Sequence, residues 1–165
     1  MAFRAAMTGH QVYSTLHTNS ALGAIPRLLD IGILPDVIAG NMIGVMGQRL
    51  VRRLCEHCRA PYTPDAAERR LLALEAHGDH TLYRPVGCNR CEGRGYRGRF
   101  ALLEVLRMDA DLDDLIARRS TLKELAVAAH EKGFQPLAAD GARRALEGTT
   151  SLEEVARVVD LTSRV

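Results

Sequence analysis

Apolar positions recur along the chain with two different periods, and together they predict a mixed α/β protein. Spacings of three or four residues, with capping residues at the ends, predict helices over residues 1–9, 21–31, 37–46, 66–76, 111–119, 121–133, 137–147 and 151–160. Runs rich in β-branched and aromatic residues predict strands over residues 11–16, 48–54 and 100–106.

Some of these helices carry signals that set their ends or their surroundings. Two capping boxes of the S/T-x-x-E pattern begin helices, one over residues 121–124 and one over residues 151–154. Pro26 falls inside the helix predicted over residues 21–31, so it should kink that helix or shift its start. The helix predicted over residues 37–46 is apolar nearly all round, which predicts that it is buried.

Length and composition describe an ordinary globular chain. Its 165 residues can bury one core, or one core with a small additional lobe, and the net charge is +2. Aromatic residues make up 4% of the chain and tryptophan is absent, so surfaces for stacking nucleic-acid bases are scarce and we expect no nucleic-acid partner. Lysine occurs only at Lys123 and Lys132, and neither follows a glycine-rich loop, so the sequence contains no GxxxxGK[ST] phosphate loop.

All four cysteines of the chain lie in two CxxC pairs. Cys55 and Cys58 form the first pair, Cys88 and Cys91 form the second, and 29 residues separate the pairs. Two such pairs can supply the four thiolates of a tetrahedral structural zinc site. The chain begins without a secretory signal pattern and has no apolar run long enough to span a bilayer, so we expect a reducing cytosol, where disulfides are rare. Zinc is therefore favoured over a disulfide or a redox dithiol, and His57 inside the first pair is expected to face solvent.

Two histidines flank the strand predicted over residues 11–16. His10 precedes that strand and His17 follows it, at the position where open α/β sheets receive ligands. The alternative is that both histidines only cap the ends of the strand by hydrogen bonding. Arg49, Arg52 and Arg53 could likewise face an anion, or they could lie on an exposed strand face with salt bridges.

Several longer segments resemble one family, the ATPases of bacterial type II secretion and type IV pilus assembly. The segment Thr-Gly-His-Gln-Val-Tyr-Ser-Thr-Leu-His-Thr-Asn at residues 8–19 resembles the histidine box of that family. The likeness continues at residues 27–32, 48–55, 95–99 and 150–155, and it covers essentially the whole chain. The approach to the second cysteine pair at residues 83–85, and the tail, are more similar to the type II secretion ATPases.

The resemblance implies an architecture. The chain would be the C-terminal part of a RecA-like P-loop ATPase domain, with an inserted tetracysteine zinc lobe and a C-terminal helical bundle. Residues 1–54 would form the back half of the RecA-like core with its histidine box, and residues 55–98 would form the zinc lobe. Residues 99–165 would form a strand and the C-terminal helical subdomain.

The resemblance also implies a function for the complete protein. That function is a hexameric ATPase that binds ATP and Mg²⁺ and powers pseudopilus assembly. It would lie in the cytoplasm, peripheral to the inner membrane, with an inner-membrane platform protein and cytoplasmic adaptor proteins as partners. His10 and His17 match the histidines that lie near the γ-phosphate, and the four cysteines match the zinc ligands. This chain alone lacks the phosphate loop and is expected to be inactive. A different hypothesis is a stand-alone, zinc-stapled module for protein interaction that uses no nucleotide.

Overall fold

The computed structural model describes residues 2–76 and 78–162 and has the mixed α/β composition that the sequence predicts. Met1 of the first predicted helix and residues 163–165 of the last predicted domain lie outside the described residues. The chain forms two compact units, and each is assembled from two separate stretches. The first unit contains residues 2–47 and 104–135, and the second contains residues 48–103 and 136–162. The domain boundaries expected after residues 54 and 98 were placed from the order of the sequence motifs along the chain. These boundaries stay a prediction.

The described residues contain short helices and two pairs of strands. The helices are α1 (Ala2–Met7), α2 (Ala24–Asp30), α3 (Pro35–Ile38), α4 (Ala66–Leu71), α5 (Ala110–Ala117), α6 (Leu122–Glu131), α7 (Leu137–Leu146) and α8 (Leu152–Val158). The strands are β1 (Gly44–Leu54), β2 (Ala60–Tyr62), β3 (Leu82–Arg84) and β4 (Tyr96–Arg107). β1 pairs with β4, and β2 pairs antiparallel with β3. β1 and β4 run in opposite directions, since Gly44 lies beside Leu106 and Gly47 lies beside Glu104.

The core of the first unit lies among α2, α3, α5 and α6. Its largest fully buried members include Ile25, Ile38, Leu112 and Ile116, and α5 packs against both α3 and α6. The start of α6 is fixed by the predicted capping box, in which Thr121 and the third helical residue exchange hydrogen bonds. These apolar side chains recur at helical spacing, which is why the sequence pattern located α5 and α6 correctly.

The core of the second unit joins β1, β3 and β4 to α7 and α8. Val51, Leu82, Leu102 and Val155 are buried there. A Cβ atom built at Gly141 of α7 would lie 2.5 Å from Val155 Cγ1 of α8, so a glycine is what lets these two helices approach closely. The packing of α7 on α8 therefore depends on a residue without a side chain.

The strand predicted over residues 11–16 is absent. Residues 10–18 have no helical or strand conformation, and Tyr13 remains 83% exposed. A strand needs a neighbour for its backbone hydrogen bonds. Within residues 2–76 and 78–162, β1 pairs with β4 and β2 with β3, and no strand lies along residues 11–16. The β-branched composition was therefore insufficient without a partner.

The buried helix predicted over residues 37–46 is also wrong. α3 ends at Ile38, Ala39 leaves the helix with ψ 131°, and Gly40 has a positive φ of 75°. The chain then enters β1, where Ile43 just before the strand and Met46 within it are 74% and 64% exposed. An apolar run without clear periodicity fits a helix or a strand equally, and the hydrogen bonds to β4 decide the outcome here.

Two smaller predictions also need correction. The helix predicted over residues 66–76 ends at Leu71, after a capping box between Asp65 and Glu68. The box predicted at Ser151 is half formed: its hydroxyl accepts from the Glu154 amide at 3.1 Å, but the Glu154 carboxylate bonds to arginines instead.

Pro26 does shift the start of its helix, since α2 begins at Ala24 rather than at residue 21.

Candidate functional site

Each CxxC pair forms a tight turn that directs two sulfur atoms to one side. In the first turn, Cys55 O accepts from Cys58 N at 3.2 Å and from Arg59 N at 2.9 Å. In the second, Cys88 O accepts from Cys91 N at 3.2 Å and from Gly93 N at 3.0 Å. Such i to i+3 bonds bring the first and fourth residues of each turn close together, which explains why cysteines at this spacing can share one ligand.

The two turns bring all four sulfur atoms into one cluster. The Sγ atoms of Cys55, Cys58, Cys88 and Cys91 lie within 4.8 Å of one another. The Cys55–Cys88 and Cys58–Cys91 separations are 3.9 and 3.8 Å, and all four thiols are free. Four sulfurs placed at about 2.3 Å from a central zinc ion lie about 3.8 Å apart at tetrahedral angles. The cluster therefore fits a tetrahedral zinc ion, and the expected ligand set is brought together.

Backbone amides surround the cluster and favour thiolates. Gly87 N donates to Cys58 Sγ at 3.3 Å, and the amides of Cys88 and Gly95 each donate to Cys91 Sγ at 3.2 Å. Burial opposes ionisation of Cys91, but the two amides and the neighbouring thiols outweigh it and lower the pKa of Cys91 to about 6. Burial raises the pKa of the Cys58 thiol to about 11, against the opposing effect of its single amide. Metal ligands are thiolates, so the amides that donate to Cys91 Sγ favour the form of this side chain that binds a metal.

The core of the second unit supports the first turn from one side. Arg59 Nη1 donates to the carbonyl of Gly148, and its guanidinium lies 4.7 Å from the centre of the Tyr83 ring. Gly148 has a φ of 69°, and a Cβ atom there would lie 2.5 Å from Tyr83 Cδ2. Cys55 N also donates to Gly95 O at 2.9 Å. These contacts connect the cysteine turns to the end of α7 and to β3.

His57 takes no part in the cluster and is exposed, as expected. Its Nε2 lies 3.0 Å from Arg90 Nη1, so a residue of the first turn contacts a residue of the second. An arginine can only donate here, which requires an acceptor nitrogen on His57.

The histidine segment, residues 8–19, is a second and separate feature, in the first unit. His10 and His17 are both exposed. His10 Nδ1 lies 3.0 Å from Thr8 Oγ1, and His10 N donates to Ala5 O at 3.1 Å, so His10 is attached to the end of α1. Because residues 10–18 form no strand, the expectation that His10 and His17 cap the ends of one does not apply. Their assignment to catalysis stays a prediction.

Arg52 and Arg53 of β1 face partners within the second unit. Arg52 bonds to the buried Glu154 and lies 4.1 Å from the Tyr96 ring centre, and Arg53 lies 5.2 Å from the ring centre of Phe100. Sequence reasoning missed Glu154 in this role, because it is separated from Arg52 by 102 positions and no local pattern connects them. The salt-bridge interpretation is thus the correct one for Arg52.

Among residues 2–76 and 78–162, none of the helices is long and apolar enough to cross a membrane.

Comparison with known proteins points to one family. The profile described as type II/IV secretion system protein matches residues 1–157. The chain is 46% identical over 158 residues to the type II secretion system protein E of Pseudomonas aeruginosa, which covers 96% of this chain and 31% of that protein.

Two further relatives carry ATPase names. The type IV pilus assembly ATPase TfpB of Acinetobacter baylyi is 44% identical over 164 residues, covering 98% of this chain and 28% of that protein. The type II secretion system ATPase E of Vibrio cholerae is 44% identical over 159 residues, covering 96% of this chain and 31% of that protein. The chain therefore spans less than a third of the length of each of these relatives.

Proposed function

Because the chain belongs to the type II/IV secretion system protein family, we propose that it is the C-terminal part of an ATPase motor for protein secretion. The observation that carries this proposal is the likeness over nearly the whole chain to proteins named as secretion and pilus ATPases. In the complete protein, residues 1–54 contribute the back half of a RecA-like core, and residues 99–165 contribute a strand and the C-terminal helical subdomain. The phosphate loop, ATP and Mg²⁺ belong to the part that this chain lacks.

His17 acts on the transferring phosphoryl group in this proposal. An imidazole near the γ-phosphate can donate a hydrogen bond to the negative charge that develops as the phosphoryl group is transferred. The exposure of His10 and His17 supports this role, since the two side chains are open to a ligand or to another part of the protein. His10, attached to the end of α1, is assigned a role at the boundary between subunits of a hexamer.

The cysteine cluster has a structural role. Its four sulfurs hold one zinc ion, which stabilises the fold of the cysteine turns. The zinc lobe, residues 55–98, is then a platform for an inner-membrane protein and cytoplasmic adaptor proteins of the secretion machine. The motor would drive assembly of a pseudopilus from the cytoplasmic side of the inner membrane, without contact to nucleic acid.

Steady-state ATPase kinetics on the complete protein test this function. We expect His17→Ala to lower kcat by roughly 10²–10³, as loss of an oxyanion donor does, while the Kd for ATP changes little. His10→Ala is the matched variant, with a smaller effect on kcat and an effect on assembly, which sedimentation measures. Full kcat of His17→Ala in intact rings would make the histidine structural. A native protein that hydrolyses no ATP would favour the zinc-stapled interaction module instead.

A further inference from the structure

A buried glutamate of β4 holds the chain just after the histidine segment. Glu104 is 3% exposed, and its Oε1 accepts a hydrogen bond from the backbone amide of Ala21 at 2.5 Å. The bond joins residues 83 positions apart, and Ala21 is itself only 1% exposed. A carboxylate buried among apolar groups is costly unless its oxygens are bonded. The bond from the Ala21 amide offsets part of this cost, so the carboxylate and the amide hold each other in place.

The neighbouring strand leaves room for this side chain because residue 47 is a glycine. A Cβ atom at Gly47, on the neighbouring strand, would lie 2.5 Å from Glu104 Oε1 and 2.8 Å from its Cγ. A Cβ atom essentially never lies this close to a non-bonded atom, so any side chain at position 47 would force Glu104 to move. The missing side chain of Gly47 thus provides the space that Glu104 fills. Substitution of Gly47 displaces the Glu104 carboxylate without removing it.

Local bonds transmit the position of Ala21 back toward His17. Thr18 Oγ1 donates to Ser20 O at 3.1 Å, and Ser20 Oγ accepts from Gly23 N at 3.1 Å just before α2 begins. Residues 18–23 therefore form a bonded turn, fixed at Ala21 by Glu104. His17 is the residue immediately before this turn, four positions from Ala21.

We propose that Glu104 is a positioning residue for His17, which it acts on through the Ala21 amide. The inference rests on the proposed function, in which His17 meets the transferring phosphoryl group. A catalytic group that is misplaced by about 1 Å can lose about 100-fold in rate while the substrate still binds. Glu104 thus acts on the rate without contacting the nucleotide.

Substitutions in the complete protein test this role. Glu104→Met keeps the approximate volume of the side chain but removes the acceptor. We expect it to speed hydrogen exchange of amides 18–23 and to lower kcat about 10- to 100-fold, with the Kd for ATP within about threefold. Glu104→Gln keeps one acceptor oxygen and should recover much of the loss. Asp140→Asn is the matched control, because Asp140 Oδ2 accepts from the amide of Leu103, the residue before Glu104 on β4, at 3.1 Å.

Two further variants guard against misfolding. They also separate the positioning role of Glu104 from the proposed catalytic role of His17. Gly47→Ala displaces the carboxylate in place and should reproduce the loss of kcat. Glu104→Met added to His17→Ala should give no further loss, because both changes remove the same interaction. If the kcat losses of Glu104→Met and His17→Ala multiply in the double variant, the positioning role is overturned. It is also overturned if Glu104→Met speeds exchange of amides 18–23 but leaves kcat unchanged, while His17→Ala alone lowers kcat. If His17→Ala keeps full kcat, the proposed function fails first, whatever the exchange shows.

Discussion

The carboxylate of Glu154 lies between the guanidinium groups of Arg52 and Arg157. Its Oε2 is 2.6 Å from Arg52 Nη2, its Oε1 is 2.7 Å from Arg157 Nη2, and Oε1 also accepts from the backbone amide of Arg52 at 3.0 Å. The Glu154 side chain is fully buried, whereas the side chains of Arg52 and Arg157 are 47% and 59% exposed. The bonds between Glu154 and Arg52 connect α8 to β1 within the second unit. Beside them, the Thr150 hydroxyl donates to Arg52 O at 2.8 Å.

Acid should weaken the second unit through Glu154. Burial opposes its ionisation, but the bonds from Arg157 and Arg52 outweigh burial and lower its pKa from 4.5 to about 2. A group whose pKa is lower in the folded state stabilises that state fully above its unfolded pKa and loses the contribution as the pH falls to its folded pKa. We therefore expect the free energy of unfolding to fall by about 3 kcal/mol between about pH 5 and pH 2 through this group.

Glu154→Gln isolates this contribution from those of other carboxyls. The substitution should lower the free energy of unfolding at pH 7 by about 3 kcal/mol and flatten its dependence on pH. Urea titrations at several pH values measure both effects. Glu153→Gln is the matched control, since Glu153 is the exposed neighbour on the same helix. Equal pH dependence in the wild type and Glu154→Gln would contradict the assignment.

Protein purified without added metal should contain one zinc ion per chain. The sulfur separations of 3.8–3.9 Å match a tetrahedral thiolate site, and the metal is expected to contribute on the order of 10 kcal/mol to folding of the cysteine lobe. Elemental analysis measures the content, and hydrogen exchange measures the response to Cys88→Ser. We expect residues 55–98 to lose protection while α5 and α6 keep it. Asn89→Ala, in the same turn, should keep the metal; a metal-free protein with four readily alkylated thiols would exclude the site.

Gly141→Ala should destabilise the protein although alanine favours helices. On helix propensity alone, the change would stabilise α7 by about 1 kcal/mol. The new Cβ atom would lie 2.5 Å from Val155 Cγ1, and such overpacking typically costs about 1–3 kcal/mol. We expect urea unfolding to show a net loss in the free energy of unfolding. The double variant Gly141→Ala/Val155→Ala should lack the part of this loss that comes from the contact with Val155 Cγ1. A stabilised Gly141→Ala variant would show that the helices can move apart freely.

This chain by itself should hydrolyse no ATP. Its sequence contains no phosphate-loop lysine to position and neutralise the phosphates. Phosphate release by the purified chain, compared with a buffer control, measures this. Release above the control that His17→Ala abolishes would refute the expectation, whereas release that His17→Ala leaves unchanged would indicate a contaminant.

The sequence was most informative where the structure depends on local contacts. The capping box at Thr121, the helices α5 to α7 and each CxxC turn follow from residues a few positions apart, and all appear where the sequence predicts them. Predictions failed where distant residues decide the conformation. Residues 11–16 have strand composition but no neighbouring strand among the described residues, and residues 44–46 join a strand because β4 pairs with them.

The same limit applies to the candidate site. The CxxC spacing alone predicted the cluster, but not the amides that donate to its sulfurs. Glu104 and Glu154 bond to backbone amides 83 and 102 positions away, and no local pattern predicts either bond, since the capping box marked Glu154 only as a partner of Ser151. A buried carboxylate can be recognised only once its surroundings are known.

The second unit is made of two stretches of chain, and this order has a consequence during synthesis. Cys91 leaves the ribosome before Leu137, the first residue of α7, and 45 residues lie between them. At about 5–20 residues per second, the nascent chain has its four thiols for a few seconds before the helices that cover Leu82 and Leu102 exist. Metal capture is then an early folding event and closure of the core a late one. In that interval the apolar side of the cysteine lobe is open to chaperones and to aggregation.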